Sequence, residues 1–197
     1  ADEDLFRLSF NSPKIDAYGT EVKAISLRMD NKNLLYNTSL TADEVNTAYY
    51  NVSKLNLLNR TENDTLYFKS IFKGGNKKNE DFNLDFFYTF NSDGKSVVGF
   101  EKSSFIFKEN TWNINPDKKN TDKITFDLKT NEFNFSQFKL VSGVQKIEFI
   151  GSLKGTKEKV LLADFTKVQL QSFLPKIDSL ALKGALSGHL DFVQKEG

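Results

Sequence analysis

The sequence predicts an all-β fold: an antiparallel meander curled into a groove (a β-taco or trough), or a two-layer rolled sheet with an apolar interior. Three observations carry the prediction. Apolar and polar residues alternate with period two over several stretches, which gives a strand one apolar and one polar face. Turn-forming clusters separate those stretches by short intervals, and short connections make neighbouring strands antiparallel. The composition agrees, with 19 Phe and 6 Tyr against one Trp, one Met and 3 Pro, a set that suits a pleated, half-buried surface.

In chain order, residues 1–95 read as further alternating strands. Thr41-Ala42-Asp43-Glu44 has the form of a capping box, with Val45, Ala48 and Tyr49 at helical spacing after it. Against a helix, Tyr49-Tyr50-Asn51-Val52 returns to strand-like residues. The clearest alternation follows. Phe82, Leu84, Phe86, Tyr88 and Phe90 share one parity, with Asn83, Asp85, Thr89 and Asn91 on the other. Phe87 is the exception. Ile124, Phe126 and Leu128 alternate with polar neighbours, as do Phe133 and Phe135, then Ile147, Phe149 and Leu153. Phe138 is out of step with Phe135, which points to a bulge or a slipped register. The segment 168–174 reads as a single turn ended by Pro175. Leu180, Leu182, Leu186, Leu190 and Phe192 then share one parity, with Gly184 and Gly188 in register, where glycine marks a bend or close approach. Turn signals fall at Gly74-Gly75-Asn76, Asp93-Gly94, Asn115-Pro116-Asp117, Lys129-Thr130-Asn131, Ser142-Gly143 and Lys154-Gly155-Thr156.

Composition also bounds the function. With 27 basic against 26 acidic residues and a net charge of +1, the chain presents no overall field for nucleic acid. The absence of cysteine removes disulfides, thiolate metal sites and a cysteine nucleophile. A single histidine, His189, removes a multi-histidine metal site and leaves little for general-base chemistry. It lies in a strand pattern and reads as a solvated strand histidine, so no catalytic residue, metal or cofactor is expected. The Asn91-Ser92-Asp93-Gly94 run reads as a turn rather than a calcium loop. The start, Ala-Asp-Glu-Asp, carries neither a basic nor an apolar signal region, and the chain reads as an all-β segment, 1–197, cut from a longer protein.

Two stretches carry a family resemblance. Val160-Leu-Leu-Ala-Asp-Phe-Thr-Lys-Val-Gln-Leu, Phe173-Leu-Pro and Leu180-Ala-Leu-Lys-Gly-Ala-Leu-Ser-Gly-His-Leu-Asp-Phe resemble the repeating unit of the TamB and AsmA-like family. The progression from Ser103-Ser104-Phe105 through Trp112 and Pro116, then Ile124-Thr-Phe, Phe133-Asn-Phe and Gln145-Lys-Ile-Glu-Phe-Ile-Gly151, is similar to another part of it. The match runs over about 95–195, and the heavy use of Asn, Lys and Phe resembles versions from AT-rich Bacteroidota. The resemblance implies a periplasmic segment of a translocation and assembly module whose parent protein is anchored in the inner membrane of a Gram-negative bacterium. Its partners would be phospholipid acyl chains, sheltered on the way to the outer membrane, and an Omp85-type outer-membrane protein whose assembly work it supports. It places Phe105, Phe107, Ile124, Phe126, Leu128, Phe133, Phe135, Ile147, Phe149, Leu182 and Leu186 on the groove lining, to which the set Phe82, Leu84, Phe86, Tyr88 and Phe90 is joined. Trp112 would be a packing residue at a strand start. The competing expectation is a secreted β-sandwich binding a glycan or a protein, with Tyr18, Tyr36, Tyr49 and Tyr50 as loop-side aromatics. A closed lipocalin-like barrel would need about eight strands, fewer than the turn signals imply.

Overall fold

A computed structural model describes residues 6–32, 37–75, 77–119, 122–155, 157–172 and 183–195. The described residues are all-β, antiparallel strands with one 3-10 turn at Leu170–Ser172. The chain forms two compact units, Ala1–Phe87 and Tyr88–Gly197.

The first unit is a meander. Strands β1 (Arg7–Ala17), β2 (Thr20–Asp30), β3 (Thr38–Asn46), β4 (Asn51–Glu62) and β5 (Thr65–Gly74) each pair antiparallel with the next, and β6 (Glu80–Phe90) begins within it. Tyr18-Gly19 and Asn63-Asp64 form two-residue hairpin loops with both residues at positive φ, the turn whose twist matches that of the flanking strands. The capping-box segment lies inside β3. Ladder bonds on both sides of it override the local helical signal, and Glu44 is held by Lys23 and Lys78 instead of closing back on Thr41.

Cross-strand partners share a face, and the register produces two apolar rows here. One is Phe10, Leu27, Leu40 and Leu57; the other is Ile15, Val22, Val45 and Val52. Leu57 and Val52 are five residues apart, a spacing that in a regular strand would put them on opposite faces. They nevertheless oppose Ser70 and Gly74 of β5, which share a parity, because the β4–β5 register shifts between Ser53 and Asn56. Ala24 and Lys54, at φ 50 and 54, sit at the same level of β2 and β4. The bulge thus rephases the strand so that both rows come to one face.

The second unit contains the end of β6 and strands β7 (Ser96–Phe100), β8 (Ser103–Phe107), β9 (Asn110–Ile114), β10 (Lys123–Asp127), β11 (Glu132–Ser142), β12 (Gln145–Lys154), β13 (Glu158–Gln169) and β14 (Ala185–Lys195). The strand order is β7-β10-β11-β12-β13-β14, with the β8–β9 hairpin beside β11. Strand β11 pairs with β10 over Glu132–Ser136 and then with β9 at Leu140 and Val141. At the changeover the buried Asp122 carboxylate accepts the Lys139 amide N–H at 2.7 Å, and Asn115 donates to the Phe100 carbonyl at 2.8 Å.

The slip between Phe135 and Phe138 is a bulge at Gln137, φ 31. Strand β12 runs regularly past it: Gly151 faces Phe135 and Phe149 faces Phe138, so both phenylalanines occupy one face. A second bulge, at Lys167 of β13, does the same for Phe165 and Val168, which oppose Gly188 and Leu186 of β14. Its freed Lys167 N–H donates to Ser187 Oγ at 2.9 Å.

Candidate functional site

In the second unit the apolar rows run across strands. Val98, Ile124, Phe135, Gly151, Leu161 and Phe192 form one; Phe138, Phe149, Ala163 and Leu190 form the next. With strands about 4.8 Å apart, a row crossing β10 to β14 extends roughly 19 Å. Aromatic stacking ties neighbouring strands: Phe126 on Phe133 at 5.8 Å and Phe138 on Phe149 at 5.2 Å between centroids.

The expected lining residues fall partly on these apolar rows and partly elsewhere. Ile124, Phe135 and Phe149 belong to these two rows, Phe126 opposes Phe133, Ile147 lies between Leu140 and Phe165, and Leu186 opposes Val168. In the first unit Phe82 stacks on Phe72 at 4.5 Å and Phe86 on Phe68 at 5.0 Å, with Leu84 between them at the same parity. Phe87 turns to the other face, against Tyr67, whose ring also carries Arg60. Tyr88 bonds through its hydroxyl to Ser96 Oγ, and Phe90, at the end of β6, is 60% exposed. Phe105 and Phe107 lie on β8 opposite Trp112 and Asn110, and Trp112 is buried. Leu128 lies beyond β10 in the turn, 71% exposed, because the Asp127 carboxylate accepts the Lys129 and Thr130 amides and ends the strand. Leu182 and Tyr36 lie outside the described residues.

Several residues of the face escaped the alternation pattern. Phe138, Leu140 and Val168 sit past bulges, Phe165 stands just before one, and the rows of β1 to β4 lie on either side of another. The parity slip at Phe138 was the signal for one. Nothing comparable marks Ala24, Lys54 or Lys167, which adopt positive φ without being glycine or asparagine.

The rows are incompletely covered. Among the described phenylalanines only Phe138 belongs to the fully buried core, whereas Leu161, Leu186, Leu190 and Phe192 are 37–49% exposed. A sealed core packs its large side chains to near-complete burial. The opposite faces carry charge. In the first unit Lys14, Glu21, Lys23, Glu44 and Lys78 form a chain of ion pairs. Hydrogen bonds from Lys14, Asn46 and Lys23 hold the Glu21 carboxyl down to about 2, and Lys78 and Lys23 do the same for Glu44.

His189 is on the polar face, half-exposed, with Nδ1 2.7 Å from Asp164 and Nε2 2.5 Å from Asp191. These hydrogen bonds, Asp164's first, raise its pKa above the ordinary histidine value. A carboxylate on each nitrogen favours the imidazolium and leaves neither nitrogen free as a base. No family model, curated protein or solved structure matches the chain.

Proposed function

We propose that this chain is a non-catalytic β-segment whose apolar faces shelter phospholipid acyl chains, as its resemblance to the TamB and AsmA-like family implies. In that setting it would be a periplasmic piece of a bridge to the outer membrane, working beside an Omp85-type partner in outer-membrane biogenesis. The observation that carries the reading is the set of Phe, Leu and Ile rows kept on one face by bulges, of which Leu161, Leu186, Leu190 and Phe192 are exposed. Each methylene moved from water onto such a surface gains up to about 0.8 kcal/mol at full burial. A floor of hydrocarbon side chains without an ordered polar pattern holds any acyl chain without reading it, which suits passage along a surface.

The test uses a phospholipid carrying a photoreactive diazirine in its acyl chain. Adducts should map to Phe126, Phe133, Phe149 and Leu161, and Phe126→Lys or Phe86→Lys should reduce labelling while leaving the far-UV circular dichroism intact, since the lysine reaches solvent along an open wall. Labelling confined to the charged faces, or unfolding of either variant, would contradict an open apolar face.

A second reading, a glycan-binding module, is favoured by Tyr18. This ring stands fully exposed at the tip of the β1–β2 hairpin and lines a cleft of about 560 Å³ with Asp16, Glu21, Asn46 and Thr47. Glycan-array binding that disappears in Tyr18→Ala would support it, and an array without signal would remove it. Tyr49 is also exposed at a hairpin tip, whereas Tyr50 is held by Glu80.

A further inference from the structure

The register of the second unit places one charged residue on its apolar face. The row nearest the β10–β11 and β12–β13 turns is Ser96, Phe126, Phe133, Leu153, Lys159 and Gln194. Among the described residues of β7 and β10 to β14, no other position on that face carries a charge. Lys159 is half-buried, with Leu153 and Gln194 on its two sides.

The carboxylates at this end of the strands are on the opposite face and already engaged. Asp127 accepts the Lys129 and Thr130 amides, Glu132 pairs with Lys95 at 3.0 Å, and Glu158 pairs with Lys154 at 3.4 Å. Strand alternation keeps Glu158, the sequence neighbour of Lys159, on the other side of the sheet. Lys159 itself makes no ion pair among the described residues. An ammonium set on hydrocarbon without a counter-ion gains from any anion that can reach it.

We propose that Lys159 binds the phosphodiester of the phospholipid headgroup and so fixes the direction in which the lipid lies. The head is at the β12–β13 turn and the acyl chains run along β12 and β13 towards Ile147 and Phe165. This rests on the acyl-chain reading above and adds a direction to it. The ammonium donates to a phosphate oxygen in a charge-assisted hydrogen bond, which is stronger than a neutral one. The length also fits. Phe165 is six residues from Lys159 along an unbroken part of β13, a rise of about 20 Å, and the hydrocarbon of one membrane leaflet is about 15 Å deep. A chain whose head is at Lys159 is therefore covered by Leu161, Ala163 and Phe165 along its length.

The test uses two phosphatidylglycerol probes, one with a diazirine beside the acyl ester and one with it at the methyl end of the chain. The ester-side probe should label Leu153 and Leu161 about tenfold more than Ile147 and Phe165, and the methyl-end probe the reverse, a preference that one charge-assisted hydrogen bond can confer. Lys159→Met should level both ratios and Lys159→Arg should preserve them. Diacylglycerols carrying the same diazirines lack the phosphate and should show no preference on the unmodified chain, an arm that decides the matter even if Lys159→Met fails to fold. Unchanged Trp112 emission verifies folding of each variant. Equal ratios for the two phospholipid probes, ratios that persist in Lys159→Met, or a diacylglycerol oriented like the phospholipid would overturn the proposal and leave the acyl-chain reading standing. Absence of labelling by both probes would remove the two together.

Discussion

Replacing Phe138 by alanine tests whether the bulge at Gln137 places that ring in the core. Phe138 is 7% exposed, with the Phe100 ring at 5.4 Å and the Phe149 ring at 5.2 Å. Truncating a buried phenylalanine costs about 3–5 kcal/mol, because the transfer energy is lost and the cavity collapses only in part. Phe192, on the same face, is 49% exposed; with half its surface already in water, Phe192→Ala should cost roughly 1 kcal/mol. The assay is urea unfolding of the two variants beside the unmodified chain. Fluorescence of Trp112, the only tryptophan and 1% exposed, reports on the second unit, and the slope should stay constant if stability alone changes. Against a total of about 5–15 kcal/mol, the Phe138 loss is large. Equal losses for the two variants, or less than about 1 kcal/mol for Phe138→Ala, would refute the placement of Phe138 and the rephasing that produces it.

Two further outcomes follow from the ladders. Glu21 and Glu44 have folded pKa values of about 2 against an ordinary 4.5. Depressed values mean that their stabilisation is fully present above pH 4.5 and is lost as pH falls towards 2. Thermal melts should therefore drop more steeply over that interval for the unmodified chain than for the Glu21→Gln, Glu44→Gln double variant, and parallel profiles would remove the ion-pair chain from the stability of the first unit. Gly151→Ala would put a Cβ 2.5 Å from the Val160 carbonyl oxygen. Strand β12 cannot retreat without disturbing its pairing to β13, so a loss of about 1–3 kcal/mol is expected in urea unfolding; an unaffected midpoint would show that the strands separate easily there.

How much was legible in the sequence depended on whether a strand kept its phase. The runs at 82–90, 124–127 and 145–154 keep one phase, with Phe87 and Ile150 the only apolar residues on the polar parity, and their apolar faces were readable directly. The slip from Phe135 to Phe138 was readable as a bulge because both residues are large and apolar and their spacing is odd. The first four strands hid their rows. Ile15, Val22, Val45 and Val52 stand on one side of a bulge and Phe10, Leu27, Leu40 and Leu57 on the other, so a single parity never covers both. Ala24 and Lys54 give no compositional warning of positive φ. The Asn63-Asp64 turn could have been found, since both residue types tolerate that conformation; Lys108-Glu109, with φ 45 and 67, could not. Leu128 continued an alternation that the Asp127 carboxylate ends. The carboxylates on His189 come from a cross-strand neighbour, Asp164, and from Asp191 two residues along, so the first depends on a register that the sequence does not state.

The central claim is that the apolar faces are open to hydrocarbon, and mass spectrometry of an organic extract of the purified chain tests it most directly, with a denatured aliquot as the control for carry-over. Open faces predict phospholipid at a reproducible, near-stoichiometric ratio, lowered in Phe126→Lys. No lipid above the denatured control would contradict the claim and leave the rows as a core closed against lipid.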